Sequence, residues 1–331
     1  MTDLSIYSGL LGYEYDAVEC SSLQEEGNAW SRDVFDSESS NETLGTCLTM
    51  PLKIQAMSLV QRDQITKQAL TIGSINTTYN HGMNKSTTEI AAIEQNKRFM
   101  ATNLDWQSVL NCLVSALTTD CSPFFASTPT SFSQRDAVVA FLIGAGGAAR
   151  AAMYAFEQMQ INTVFVVNRD TSELDALVQD WKGKLRVRAI ESIDEVDNML
   201  QGKRLAVAVA CIPSESMPIT LNEHRVYDIA KRLFEQQILS FNSSPAESTK
   251  SEHVLQLPNS PVLLDMAYKP PMTPLRTIAE SFGWKTICGA EAVLEVCFEQ
   301  CQLWLNQPIS RQIRDGARQL VRSRINYNKT D

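Results

Sequence analysis

The chain has 331 residues, of which 44% are hydrophobic and 20% charged, with 14 Gly and 12 Pro. That length suits two domains with sizeable cores, and that composition excludes a disordered, collagen-like or low-complexity chain. A net charge of −9 and a pI near 5.0 disfavour general attraction to phosphates, so no direct nucleic-acid partner is expected.

The opening residues Met1-Thr2-Asp3-Leu4 lack a basic segment followed by an apolar run and do not read as a secretory signal. No stretch of about 18 uninterrupted apolar residues offers a membrane span. A cytoplasmic protein without a membrane partner is expected. Over the first hundred residues short apolar stretches alternate with polar ones, and Asn84 to Asn96 is a mostly polar connection. The 8 cysteines form no Cys-x-x-Cys pair and several lie inside apolar runs, which reads as buried free thiols in a reducing compartment. Cys297 and Cys301 stand one helical turn apart, but no His or third Cys nearby completes a zinc site, and no metal is expected.

The most legible unit begins at Ala137. Ala137 to Ile143 is a continuous apolar run rich in β-formers, as expected of a strand covered on both faces. It ends in Gly144-Ala145-Gly146-Gly147, and Ala148 to Met153 then forms helix strongly. Further strands are expected at Thr163–Val167, Leu185–Ile190, Leu205–Cys211 and Val262–Leu264, separated by helix-length intervals. That alternation predicts a parallel, doubly wound α/β domain over roughly 120–285. Phe241 to Pro261 reads as a surface loop. After Gly289 the spacing of Ala292, Leu294, Val296, Phe298, Leu303 and Trp304 predicts a long helix returning to the first domain.

Glycines are needed where a strand turns sharply into a helix and a pyrophosphate approaches the backbone, because a Cβ would collide there. Gly144, Ala145, Gly146, Gly147 and Ala148 occupy such a junction, so they are candidate cofactor-binding residues. Asn168-Arg169-Asp170 follows the second strand, where an adenosine ribose belongs. An acid there takes the ribose hydroxyls of NAD, whereas an Arg pairs with the 2′-phosphate of NADP. Both types are present with Arg169 first, so NADP is expected through Asn168 and Arg169, with NAD left open.

Taken with the glycine turn, four further segments resemble the shikimate dehydrogenase family, notably the dehydrogenase domain that ends the fungal pentafunctional arom polypeptide. They are Thr49-Met50-Pro51-Leu52-Lys53, Ile72-Gly73-Ser74-Ile75-Asn76-Thr77, Asn103-Leu104-Asp105-Trp106, and Asp265 to Leu275. The resemblance implies a split α/β substrate-binding domain at 1–115, completed by 287–331, beside a Rossmann-like NADP-binding domain at 120–286. It also implies reduction of 3-dehydroshikimate to shikimate, or action on a related small cyclic hydroxy acid such as quinate. Lys53 and Asp105 match the family's proton-handling pair. Asn76, Asn103 and Tyr268 match positions lining the substrate pocket.

The sequence departs from that pattern in three places. Leu4 to Leu11 aligns with the helix that follows the family's first strand and serine-bearing loop, so the serines that grip the substrate carboxylate have no counterpart. Val296 stands where the family carries a Gln, and Leu104 where it carries a Thr. Two other functions therefore stand beside the dehydrogenase. One is a metabolite-sensing regulator resembling the quinate-pathway repressor, with a transcriptional activator as partner. The other is a secondary-metabolism paralogue of altered substrate.

Overall fold

The computed structural model describes residues 44–80, 99–117, 138–213, 221–241 and 260–327. The segments Leu4–Leu11 and Asn84–Asn96 lie outside these residues, as does most of Phe241–Pro261.

The first part is built on a small antiparallel sheet of β1 (Gly45–Cys47), β2 (Thr77–Asn80) and β3 (Phe99–Thr102), in that order. A one-turn helix α1 (Leu52–Gln55) and helix α2 (Lys67–Ile72) connect β1 to β2, and α3 (Asp105–Leu117) follows β3. Leu48, Leu52, Ala56, Val60, Ile65, Ala69, Ile75 and Ala101 form its core. The small apolar residues interleaved with Thr and Asn give these strands little periodic signal, and the sequence reading places no strand there.

The second part is a parallel sheet in the order β6-β5-β4-β7-β8-β9. Its strands are β4 (Val138–Ile143), β5 (Thr163–Val167), β6 (Arg186–Ala189), β7 (Arg204–Ala210), β8 (Val262–Asp265) and β9 (Lys285–Cys288). Between them run α4 (Gly147–Gln158), α5 (Thr171–Asp180), α6 (Ile193–Met199), α7 (Leu221–Phe241) and α8 (Pro274–Ser281). All six residues of β4 are buried, as its unbroken apolar run requires. Val138, Ala140 and Leu142 face Val109, Leu113 and Phe156 on one side, while Val139, Phe141 and Ile143 face Phe234, Leu275 and Ala279 on the other. Each fully buried Val, Leu, Ile or Phe among them stabilises by roughly 1.5–3 kcal/mol relative to exposure.

This is the α/β doubly wound sheet expected from the sequence, with edge strand β9 added. The expected third strand starts one residue late because Leu185 N still donates to Trp181 O, closing the turn before it at 3.2 Å. Chain order reverses between β4 and β7, and the crevice above their carboxyl ends is where such sheets take ligands.

The long helix α9 (Gly289–Leu305) does return to the first part. It packs on α3 and β2, and Trp304 Nε1 donates to Thr78 O at 2.9 Å. A last helix, α10 (Arg311–Tyr327), lies on α9. No helix among the described residues is long and apolar enough to cross a membrane.

Candidate active site

Four of the residues singled out in the sequence meet where the small sheet approaches the glycine turn. Thr66 caps α2 through a hydrogen bond from Ala69 N, and Gly73, at φ 76°, ends it in a conformation that side chains disfavour. The chain then reverses into β2. Ile75 N donates to Lys53 O at 2.8 Å and Asn76 N to Thr102 O at 3.1 Å, which locks three segments side by side. Asp105 is the first residue of α3, so a carboxylate sits at a helix N-terminus, where the dipole favours it.

Lys53 Nζ donates to Asp105 Oδ2 at 2.6 Å, and Asn76 Nδ2 donates to Asp105 Oδ1 at 2.9 Å. Asn76 Oδ1 accepts from Leu104 N and from Thr77 Oγ1, both at 2.8 Å. Asn103 Oδ1 accepts from Asp105 N at 3.0 Å, and its Nδ2 donates to Ser74. Asn76 thus holds the Asp105 carboxylate, while Asn103 holds the Asp105 backbone N–H. Burial opposes charge on Lys53, but the adjacent Asp105 carboxylate outweighs it and holds the ammonium above the ordinary lysine value. At neutral pH Lys53 is therefore a charged ammonium held in place beside Asp105.

Gln300 joins this frame from α9, its Nε2 donating to Thr77 Oγ1 at 2.9 Å. The sequence reading weighed Val296, one turn earlier, and passed over Gln300. A single amide on the buried face of an apolar helix was the signal available. Burial pushes the Cys211 thiol near the pair up, so it sits there as a neutral thiol, while Cys47 is exposed. None of the six described cysteines is in a disulfide, and among the described residues no three His, Cys, Asp or Glu side chains gather to hold a metal.

The glycine turn lies directly against this cluster. Gly144 adopts φ 112°, and its N donates to Val167 O at 2.8 Å. Ala145 is buried behind it. Gly146 is the N-cap of α4 with no side-chain cap, and a Cβ on it would meet nothing within 4 Å. A Cβ on Gly147 would come 2.9 Å from the Lys53 Cβ, so this glycine is required by the approach of the first part of the chain. Ala148 follows, half-buried in the first turn. The start of α4 thus has no side-chain cap on its first N–H groups, which is the setting in which a helix N-terminus takes an anion.

At the end of β5, Asn168 is buried and donates to Asp170 O and Glu173 Oε2 at 2.9 and 3.0 Å. Asp170 turns into its own helix, accepting from Ser172 N and Glu173 N at 2.8 and 3.2 Å. Arg169 is exposed beside it. Arg225 from α7 reaches the same strand end, donating to Asn168 O at 3.3 Å, and the sequence reading did not single it out. Tyr268 lies just past β8, half-buried, with Lys269 Nζ 6.0 Å from its ring centroid.

No protein-family model matches this chain. It is 28% identical over 261 residues to the pentafunctional arom polypeptide of Eremothecium gossypii, covering 78% of this chain and 13% of that protein. It is 29% identical over 279 residues to the arom polypeptide of Kluyveromyces lactis, covering 83% of this chain and 14% of that one. The chain spans about a seventh of the length of these relatives. Among solved structures, the dehydroquinate dehydratase and shikimate dehydrogenase part of S. pombe arom superposes with a TM-score of 0.62 at 20% identity, covering 94% of this chain and 48% of that one. The Thermus thermophilus shikimate 5-dehydrogenase in complex with NADP(H) and shikimate gives 0.57 at 18%, covering 95% and 92%. The Corynebacterium glutamicum quinate dehydrogenase in complex with NAD gives 0.53 at 15%, covering 91% and 84%.

Proposed function

We propose that this chain, which has the fold of the shikimate dehydrogenases, is a nicotinamide-dependent dehydrogenase. Its substrate is a small cyclic hydroxy acid of the shikimate–quinate class, interconverted with the corresponding ketone. The observation that carries this reading is the Lys53–Asp105 pair, joined at 2.6 Å and packed against the glycine turn. In this reading residues 1–115 with 287–331 bind the substrate, and residues 120–286 bind the dinucleotide.

The cofactor supplies hydride to the carbonyl carbon when bound. The uncapped start of α4 and the open space beside Gly146 fit its pyrophosphate. Two guanidinium groups, of exposed Arg169 and of Arg225, stand at this strand end beside the Asp170 and Glu173 carboxylates, which accept from Ser172 N and Asn168 Nδ2. That balance favours the 2′-phosphate of NADP over the bare ribose of NAD.

Lys53 holds a proton at the oxygen that becomes an alkoxide, and its charge stabilises that oxygen as it develops. Such positioned acid–base help is worth ~10²–10⁴ in rate. Asp105 keeps the ammonium protonated and aimed, Asn76 holds its carboxylate, and Asn103 holds its backbone N–H. Tyr268, in the loop beyond β8, is assigned to the substrate pocket on the motif alone.

The test is the near-ultraviolet absorbance of NADPH, followed with purified protein and dehydroshikimate, and in reverse with shikimate or quinate. Turnover supports the dehydrogenase. Metabolite binding without turnover moves the assignment to a sensor, and neither binding nor turnover overturns both.

A further inference from the structure

We propose that Ser74 is a positioning residue that couples the glycine turn to the Lys53–Asp105 pair. This rests on the dehydrogenase reading and goes beyond it. Ser74 is fully buried, and its hydroxyl has two partners on opposite sides of the junction. The hydroxyl donates to Gly147 O at 3.1 Å and accepts from Asn103 Nδ2 at 3.0 Å. Asn103 in turn accepts from Asp105 N at 3.0 Å, and Asp105 holds Lys53 at 2.6 Å. An unbroken hydrogen-bonded path therefore runs from the first residue of α4, where the dinucleotide's phosphates are assigned, to the ammonium assigned to the reacting oxygen.

The contact is direct and tightly packed. The side chains of Lys53 and Ser74 both press on the face of Gly147, where a Cβ would lie 2.9 Å from the Lys53 Cβ and 3.6 Å from the Ser74 Cβ. Beside them Arg150 of α4 lies over Gly73, its NH1 2.9 Å from where a Cβ would be. A small shift of the glycine turn therefore reaches Asp105 through one serine hydroxyl.

The local chemistry separates this role from a merely structural one. Without the hydroxyl, Asn103 Nδ2 keeps the Ser74 backbone carbonyl at 3.1 Å, and Gly147 O, in the first turn of α4, keeps its place in the helical ladder. Ser74→Ala therefore leaves no buried polar group stranded, and the variant folds. What it loses is the connection.

The experiment compares wild type and Ser74→Ala by steady-state NADPH oxidation with dehydroshikimate. NADP(H) dissociation constants are measured by fluorescence with and without shikimate, and melting temperatures are recorded for both proteins. The expected result is a kcat roughly fivefold lower, as one neutral hydrogen bond is worth, with the binary NADPH dissociation constant nearly unchanged. The factor by which shikimate tightens the dinucleotide falls in the same proportion. Ser74→Thr, which restores the hydroxyl, recovers that factor. If wild type turns over and Ser74→Ala matches it within twofold in both kcat and ligand coupling, the inference is overturned while the dehydrogenase reading stands. If wild type itself neither turns over nor binds, both fall.

Discussion

Lys53, Arg169 and Asp265 give three predictions of different kinds. Lys53→Met removes the ammonium but keeps the stem, so it is expected to lower kcat by ~10²–10⁴ with substrate affinity changed far less. Arg169→Ala is expected to narrow the preference for NADP over NAD, read as the ratio of kcat/KM values for the two dinucleotides. A ratio unmoved by the substitution argues against a 2′-phosphate at this strand end. Asp265, at the end of β8, behaves differently. Burial raises its carboxyl to about 6 from an ordinary 3.8, against the opposing pull of hydrogen bonds from Thr273 and Ala267 N. The proton is held more tightly in the folded state, so its stabilisation is full below pH 3.8 and is lost as pH rises through about 6. At most about 3 kcal/mol is at stake, and Asp265→Asn should flatten that part of the pH–stability curve measured by urea unfolding.

At the level of elements, α9 and α10 are joined to one another by charge and α9 to α3 by a hydrogen bond. Glu295 accepts from Asn111 of α3 and pairs with Arg314 and Arg318 of α10, whose guanidinium groups lie 4.9 and 5.6 Å from the Phe298 ring centroid. Glu295→Ala leaves two arginines without this acceptor and should cost about 2 kcal/mol, seen as a lower melting temperature. These links also mark the limit of sequence reading. The buried run of β4 and the turn that follows it announce themselves within a dozen residues, because burial on both faces forces an unbroken apolar stretch. Gln300 and Ser74 are different. Each is a lone polar residue whose meaning lies in a partner 223 or 73 positions away, and no local pattern encodes that. β9 was missed because an edge strand with an exposed first residue carries little apolar signal, and α10 because its inner face is made largely of arginines.

Over the whole molecule, two parts built on sheets of different construction are brought together so that the Lys53–Asp105 pair of one lies against the helix start of the other. The spacing of Lys53, Asn76 and Asp105 along the chain gave no reason for them to meet; the motif resemblance did, and the folded chain does bring them together. The chain of hydrogen bonds from Gln300 through Thr77 and Asn76 to the Asp105 carboxylate, and that of Asn103 to the Asp105 N–H, was not legible, since the sequence assigned the two asparagines to substrate alone. The central claim is that the Lys53–Asp105 pair handles the proton of a nicotinamide-dependent reduction. Its most direct measurement is single-turnover NADPH oxidation by wild type, Lys53→Met and Asp105→Asn at saturating dehydroshikimate, with dinucleotide binding checked for each. The account predicts measurable wild-type turnover, both variants slowed at least about a hundredfold, and dinucleotide binding retained. A Lys53→Met protein as fast as wild type would contradict it.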